Sequence, residues 1–229
     1  MRYINVLVVF LIGVGVILFI NQSTKDKKIP LQIPKVQNQT PSDNDTNTAL
    51  FQIVAQNLDT PWGIAFLPDN SLLVTERKGQ VKRVEKNGNI DLINTIQSVK
   101  EIGEGGLLGI TLHPKFSENS FIYLYYTYSS IRDDTLNRVV RMTYENNELS
   151  DEKIIVDEIP GASNHNGGRI KFGPDGNLYI TTGDAQNPSQ AQKTNTLGGK
   201  ILSLDAARLP GRVYCICLQI PLSVILYLW

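Results

Sequence analysis

Hydrophobic and polar positions divide the chain into four stretches. Ile4 to Ile20 (INVLVVFLIGVGVILFI) is almost wholly apolar, with Arg2 before it and Asn21, Gln22, Ser23, Lys25, Lys27 and Lys28 after it. A helix of that length reaches roughly 25 Å, the short end of a membrane span. No A-x-A site follows, so residues 1–20 are read as either an export signal or an uncleaved membrane anchor. Both readings place the remainder outside the cytoplasm, in an extracellular or periplasmic compartment. Residues 21–49 are rich in Asn, Gln, Thr, Ser, Asp and Pro without apolar periodicity, a composition that buries too little surface to offset ordering entropy and predicts a flexible tether.

From Leu50 to Asp205 the pattern changes to short runs of alternating or β-branched character, separated by turn residues. Ile64-Ala65-Phe66-Leu67-Pro68-Asp69 followed by Leu72-Leu73-Val74-Thr75 matches Ile170-Lys171-Phe172-Gly173-Pro174-Asp175 followed by Leu178-Tyr179-Ile180-Thr181 at a constant offset of 106 residues. A weaker copy, Gly109 to Pro114 and Ile122 to Tyr125, lies between them. Each copy predicts a strand, a Pro-Asp or His-Pro turn and a second strand. Further strand-like runs follow at Gln80–Val84, Val139–Tyr144 and Lys200–Leu204. Repeats of about 45 to 50 residues, each holding about four short strands, predict an all-β propeller. Such propellers have at least about four blades, whereas residues 50–205 hold about three. The expectation is therefore a partial propeller with open faces, which oligomerisation would cover.

Residues 206–229 break the pattern again. VYCICLQIPLSVILYLW has only Gln219 and Ser223 as clearly polar side chains, Pro221 in its middle and no alternation. It is expected to be foreign to the repeat, as would follow from a frameshift. Its cysteines, Cys215 and Cys217, are the only two in the chain and build neither a disulfide framework nor a four-cysteine zinc site.

Composition narrows the function. Lys plus Arg and Asp plus Glu each total 22, so no net basic field exists to hold a nucleic-acid backbone. The chain has two histidines. His113 sits at a repeat turn and is read as structural. His165 lies in Asn164-His165-Asn166-Gly167-Gly168-Arg169, where amides and glycines make a polar surface open to close approach. An imidazole there is a candidate general base. Thr182-Gly183-Asp184 ends the next strand, and in an antiparallel hairpin the two ends meet, so Asp184 is expected to hydrogen-bond the ring and set its tautomer. Glu104, in Gly103-Glu104-Gly105-Gly106, precedes the first strand of its own repeat, and the loops of all three copies should open toward one axial end.

These residues carry a resemblance. GEGGLLGITLHPKF (103–116), NHNGGRIKFGPDGNLYITTGD (164–184), PWGIAFLPDNSLLVTERKGQV (61–81) and LGGKILSLD (197–205) closely resemble the PQQ-dependent soluble glucose dehydrogenases and aldose sugar dehydrogenases, the glucose/sorbosone dehydrogenase family. The resemblance implies a six-bladed β-propeller with pyrroloquinoline quinone (PQQ) over the axis and calcium beside it. It implies oxidation of the C1 hydroxyl of aldose sugars to lactones, with electrons passed on to an external acceptor. It gives His165 the role of base, Asp184 that of its acidic partner, and Arg169 that of the arginine four residues beyond the base. Asn164 and Glu104 fall at cofactor-proximal positions where the glucose dehydrogenase branch has Asp and Gln, which suits the broader aldose branch.

The three carboxylates of PQQ require cationic partners, which in the family come from blades after the point equivalent to Asp205. The chain is thus expected to hold one half of such a site and to be inactive alone. A non-catalytic, propeller-derived binding module is the alternative, and the intact His165, Arg169 and Asp184 set argues against it. Translation past codon 205 in the other two frames discriminates: recovery of three further repeats with an Arg-Asn motif would establish a frameshift, and finding none would favour a genuinely short protein.

Overall fold

The computed structural model describes residues 52–205 and the backbone of residues 213–216. The apolar helix and tether expected over residues 1–49, and the rest of the segment after Asp205, lie outside the described residues. Among the described residues no helix is long and apolar enough to cross a membrane.

Among the described residues, twelve strands form three four-stranded antiparallel sheets, each in simple sequential order. The first sheet holds β1 (Pro61–Phe66), β2 (Leu72–Glu76), β3 (Gln80–Val84) and β4 (Ile90–Thr95). The second holds β5 (Leu107–Leu112), β6 (Phe121–Ser129), β7 (Thr135–Glu145) and β8 (Glu148–Pro160), with one helical turn, α1 (Phe116–Asn119), between β5 and β6. The third holds β9 (Gly167–Phe172), β10 (Asn177–Thr182), β11 (Ile201–Asp205) and β12 (Val213–Ile216). The backbone of β12, drawn from the stretch set apart by its hydropathy, pairs Leu202 with Cys215 and Leu204 with Val213.

The sheets stack face to face as propeller blades, and β6 explains why. Its sequence, FIYLYYTYS, is a continuous apolar run because both of its faces are covered. Ile122, Leu124, Tyr126 and Tyr128 pack with Ala65, Leu73 and Val81 of the first sheet. Tyr123 and Tyr125 point the other way and pack with Ile170, Leu178, Ile180, Leu202 and Leu204 of the third. The period-2 geometry of a strand thus divides one segment between two cores. The blades also approach closely near the axis: a Cβ added to Gly109 on β5 would collide with the Gly168 carbonyl on β9. Thr75 donates across the first seam to the Leu108 carbonyl at 2.6 Å.

The repeated Pro-Asp turns owe their likeness to one hydrogen-bond pattern. Asp69 Oδ1 accepts from the Ser71 N–H at 2.9 Å, and Asp175 Oδ1 accepts from the Asn177 N–H at 3.1 Å. The Ser71 hydroxyl, donating at 2.6 Å, and then the Ser71 N–H hold the Asp69 carboxylate below its ordinary pKa, as the Asn177 N–H does for Asp175. The third residue of each turn is left-handed, Asn70 at φ 66° and Gly176 at φ 78°, as such turns require.

His113 serves the fold. Its Nδ1 accepts from the Lys115 N–H at 3.0 Å and lies 2.9 Å from Asn119 Nδ2, while its ring packs among Phe121, Tyr123 and Phe172. A protonated Nδ1 would face two donors, and burial together with Lys115 and Arg141 lowers the pKa. The unfolded chain therefore takes up this proton first as pH falls. The stabilisation is complete above the ordinary value of about 6.5 and is lost as pH descends from there through the folded value. The stability difference between wild type and His113→Gln is expected to shrink from pH 7.5 to pH 5 in denaturant titrations; a constant difference would contradict this assignment.

Candidate active site

The loops ahead of β5 and β9 meet the loop after β10 at one end of the blades. His165 stands just before β9 and Asp184 just after β10. A register shift between Ile180 and Thr182 pairs Thr182 with Gly167 and brings the two strand ends together. His165 Nδ1 lies 2.9 Å from Asp184 Oδ1, with side-chain exposures of 54% and 22% respectively. The same carboxylate oxygen accepts the Gln186 N–H at 3.0 Å. An ionised carboxylate only accepts, so Nδ1 carries the hydrogen and, in the neutral ring, the lone pair resides on Nε2. The sequence-based expectation that Asp184 would meet the ring is matched by this contact, and a tautomer set in this way is the one a base acting through Nε2 requires.

His165 is itself left-handed, at φ 61°. Outside glycine such a conformation costs of order 1 kcal/mol and persists only where the surroundings impose it. The surroundings are identifiable. Glu104 Oε2 accepts the His165 N–H at 3.0 Å, and the His165 carbonyl accepts the Ala185 N–H at 3.1 Å. Gly183 makes room for this arrangement, because a Cβ there would fall on the His165 carbonyl.

The remaining candidates are distributed differently. Glu104 contacts the backbone of the base, and its own N–H donates to the Ser163 carbonyl at 2.7 Å, so it stitches the second blade's loop to the third's. Asn164 is half-buried directly before the base. Arg169 stacks its guanidinium 4.1 Å from the centroid of the Trp62 ring on β1, linking the inner strands of the first and third blades by a cation–π contact. Trp62 was not singled out from the sequence; its signal was its place at the head of the first repeat, in Pro-Trp-Gly. Asn166 was also passed over. It is 2% exposed, and its signal was an amide between the base and two glycines.

Below Asp184 the loop from residue 185 to residue 199 is closed by Lys200. This lysine is 6% exposed and donates to the Gln190 and Gly198 carbonyls, both at 2.7 Å. Gln190 in turn donates to the Asp184 carbonyl at 3.3 Å.

A quinone carrying three carboxylates asks for several cations at one place. Arg169 is committed to Trp62, while Arg77, Lys78, Lys82, Arg83 and Arg138 pair with Glu101, Asp59, Glu76, Asp69 and Asp157. Among the described residues no cluster of three His, Cys, Asp or Glu side chains is placed to hold a metal. His165 with Asp184 is thus the pair among these residues that can take up a proton.

The family model for glucose/sorbosone dehydrogenase matches residues 58–210. The chain is 31% identical over 172 residues to the aldose sugar dehydrogenase YliI of Escherichia coli (strain K12), covering 71% of this chain and 46% of that protein. It is 32% identical over 173 residues to quinoprotein glucose dehydrogenase B of Acinetobacter calcoaceticus, covering 65% and 36%. The PQQ-bound aldose sugar dehydrogenase of Streptomyces coelicolor superposes with a TM-score of 0.63 and 39% identity, over 66% of this chain and 46% of that one. The chain spans about half the length, or less, of the curated relatives it matches.

Gly183→Ala is expected to lower stability by about 1–3 kcal/mol, the usual range for a forced side chain in a packed site, and to displace the His165 loop. Denaturant unfolding and the His165 imidazole resonances would measure the two effects. An unperturbed variant would show that the loop is not seated on Gly183.

Proposed function

The chain belongs to the glucose/sorbosone dehydrogenase family, and from that premise we propose that it carries the proton-accepting half of a site for PQQ-dependent oxidation of an aldose at C1. The observation that carries this reading is the His165–Asp184 contact at 2.9 Å, made by a histidine whose own backbone is left-handed. In the proposed step His165 Nε2 takes the proton of the C1 hydroxyl as the C1–H bond breaks and the C=O of the lactone forms. Asp184 stabilises the imidazolium that results and keeps the ring oriented. PQQ, when bound, would supply the hydride acceptor, held by groups beyond the described residues. Asn164 and Glu104 border the base, and Glu104 acts through the His165 backbone.

The surrounding expectations belong to the same proposal. The apolar stretch 4–20 supports action outside the cytoplasm, either anchored or exported, with an external electron acceptor. The exposed Ile64 and Phe66 on β1 support self-association. A binding module without catalysis has no use for a histidine held in a strained conformation with its tautomer set, and this favours the enzymatic reading.

The reading is tested in a chimera in which residues 58–205 replace the matching part of the Streptomyces coelicolor enzyme. We expect PQQ- and aldose-dependent dye reduction, lowered about 10²–10⁴-fold by His165→Gln, the usual contribution of a positioned base. A chimera that binds PQQ yet loses no activity on this substitution would overturn it. The 229-residue chain alone, given PQQ and calcium, is expected to reduce no dye; turnover there would show that this chain holds the cofactor by itself.

A further inference from the structure

Beneath the base lies a buried polar chain that the proposed reaction does not use directly. Asn166 follows His165 and is 2% exposed; Asn137 on β7, Thr127 on β6 and Tyr125 on β6 are each 0% exposed. Thr127 donates to Asn137 Oδ1 at 2.7 Å. Asn137 Nδ2 donates to Asn166 Oδ1 at 3.1 Å and to the Pro160 carbonyl at 2.9 Å. Asn166 closes a reciprocal pair with Ala162, accepting its N–H at 3.1 Å and donating to its carbonyl at 2.9 Å. The Tyr125 hydroxyl reaches the Asn166 carbonyl at 2.8 Å, and burial raises its pKa far enough to keep it a donor.

Every member of this chain is hydrogen-bonded, and a fully satisfied buried network is rigid because breaking any link strands a polar group away from water. Tyr125, Thr127 and Asn137 belong to the second blade, whereas His165 and Asn166 precede the first strand of the third. The residue after the base is thus gripped from inside by the neighbouring blade, while Glu104 of that same blade grips the His165 N–H from outside. With the His165 N–H and the whole of the following residue held, the left-handed backbone at His165 is imposed and its ring is delivered to Asp184.

We propose that Asn137 and Asn166 are positioning residues, the first on the second blade acting through the second, that set the tautomer and orientation of His165. The inference rests on the reading of His165 as the base, but it concerns a property of the ring that can be observed without cofactor or sugar.

Because the chain has only two histidines, the full 229-residue protein labelled with 15N-histidine gives two resolvable rings, with His113 as the internal control. In the wild type, long-range 1H–15N spectra should show neutral His165 with its hydrogen on Nδ1. Asn137→Asp removes both amide donors and places a charge against Asn166 Oδ1. Asn166→Asp keeps the acceptor and turns an oxygen toward the Ala162 carbonyl. Each is expected to raise the Nε2–H fraction of His165 at least threefold, with His113 signals unchanged.

Folded variants with the wild-type His165 tautomer would overturn the proposal. If Asn137→Asp does not fold, the more conservative Asn166→Asp decides the matter alone. Failure of the base reading has a different signature: the wild type itself would show Nε2–H, overturning that reading and with it this one.

Discussion

Two-sided burial of the middle sheet is the constraint on which the described structure depends. Strand β6 has apolar or aromatic residues on both faces, and neither face can be left to water without losing about 25 cal/mol for each Å² of apolar surface. One face therefore requires the first sheet and the other the third. Once the three sheets are stacked, the loops ahead of their inner strands are carried to a common end. The contrast is visible on the first sheet, where Ile64 and Phe66 on β1 point away from the middle sheet and remain 57% and 74% exposed.

The candidate site is a consequence of that stacking. No single blade makes it. The third blade contributes His165 and Asp184, and the second contributes Glu104, which holds the His165 N–H, with Asn137 and Tyr125, which hold Asn166 after it. The first contributes Trp62, on which Arg169 rests. A left-handed histidine costs of order 1 kcal/mol, and the hydrogen bonds converging on it, each contributing of order 1 kcal/mol, are enough to maintain it. The strain is located where a base would need a fixed direction, and the residues that enforce it from the neighbouring blade are the exposed Glu104 and the buried Asn137 and Tyr125.

Much of this was legible in the linear pattern. The offset of 106 residues between the first and third copies corresponds to the pairs β1–β2 and β9–β10, because a strand–turn–strand unit is local and its Asp turn hydrogen-bonds to a residue two positions away. The His165–Asp184 contact was also foreseeable, since antiparallel pairing brings together residues that flank a hairpin. Glu104 was recognised as belonging to the same end of the molecule, but its target, the backbone N–H of the base, could not be read from composition. Arg169, placed by the resemblance four residues beyond the base, reaches across to Trp62 of the first blade, a partner that no local pattern names.

The sequence by itself determined the all-β class, the repeat, the hairpins and the histidine–carboxylate pair, because each rests on interactions within about twenty residues or on a period-2 alternation that one strand displays alone. Only the tertiary structure decided that Asn166 rather than Asn164 is the buried anchor, that blade two holds the base carried by blade three, and that Trp62 receives Arg169. Those partners lie 29, 41, 61 and 107 residues apart in the chain for Asn137–Asn166, Tyr125–Asn166, Glu104–His165 and Trp62–Arg169. Nothing local marks them, because what selects them is the packing of one sheet against the next.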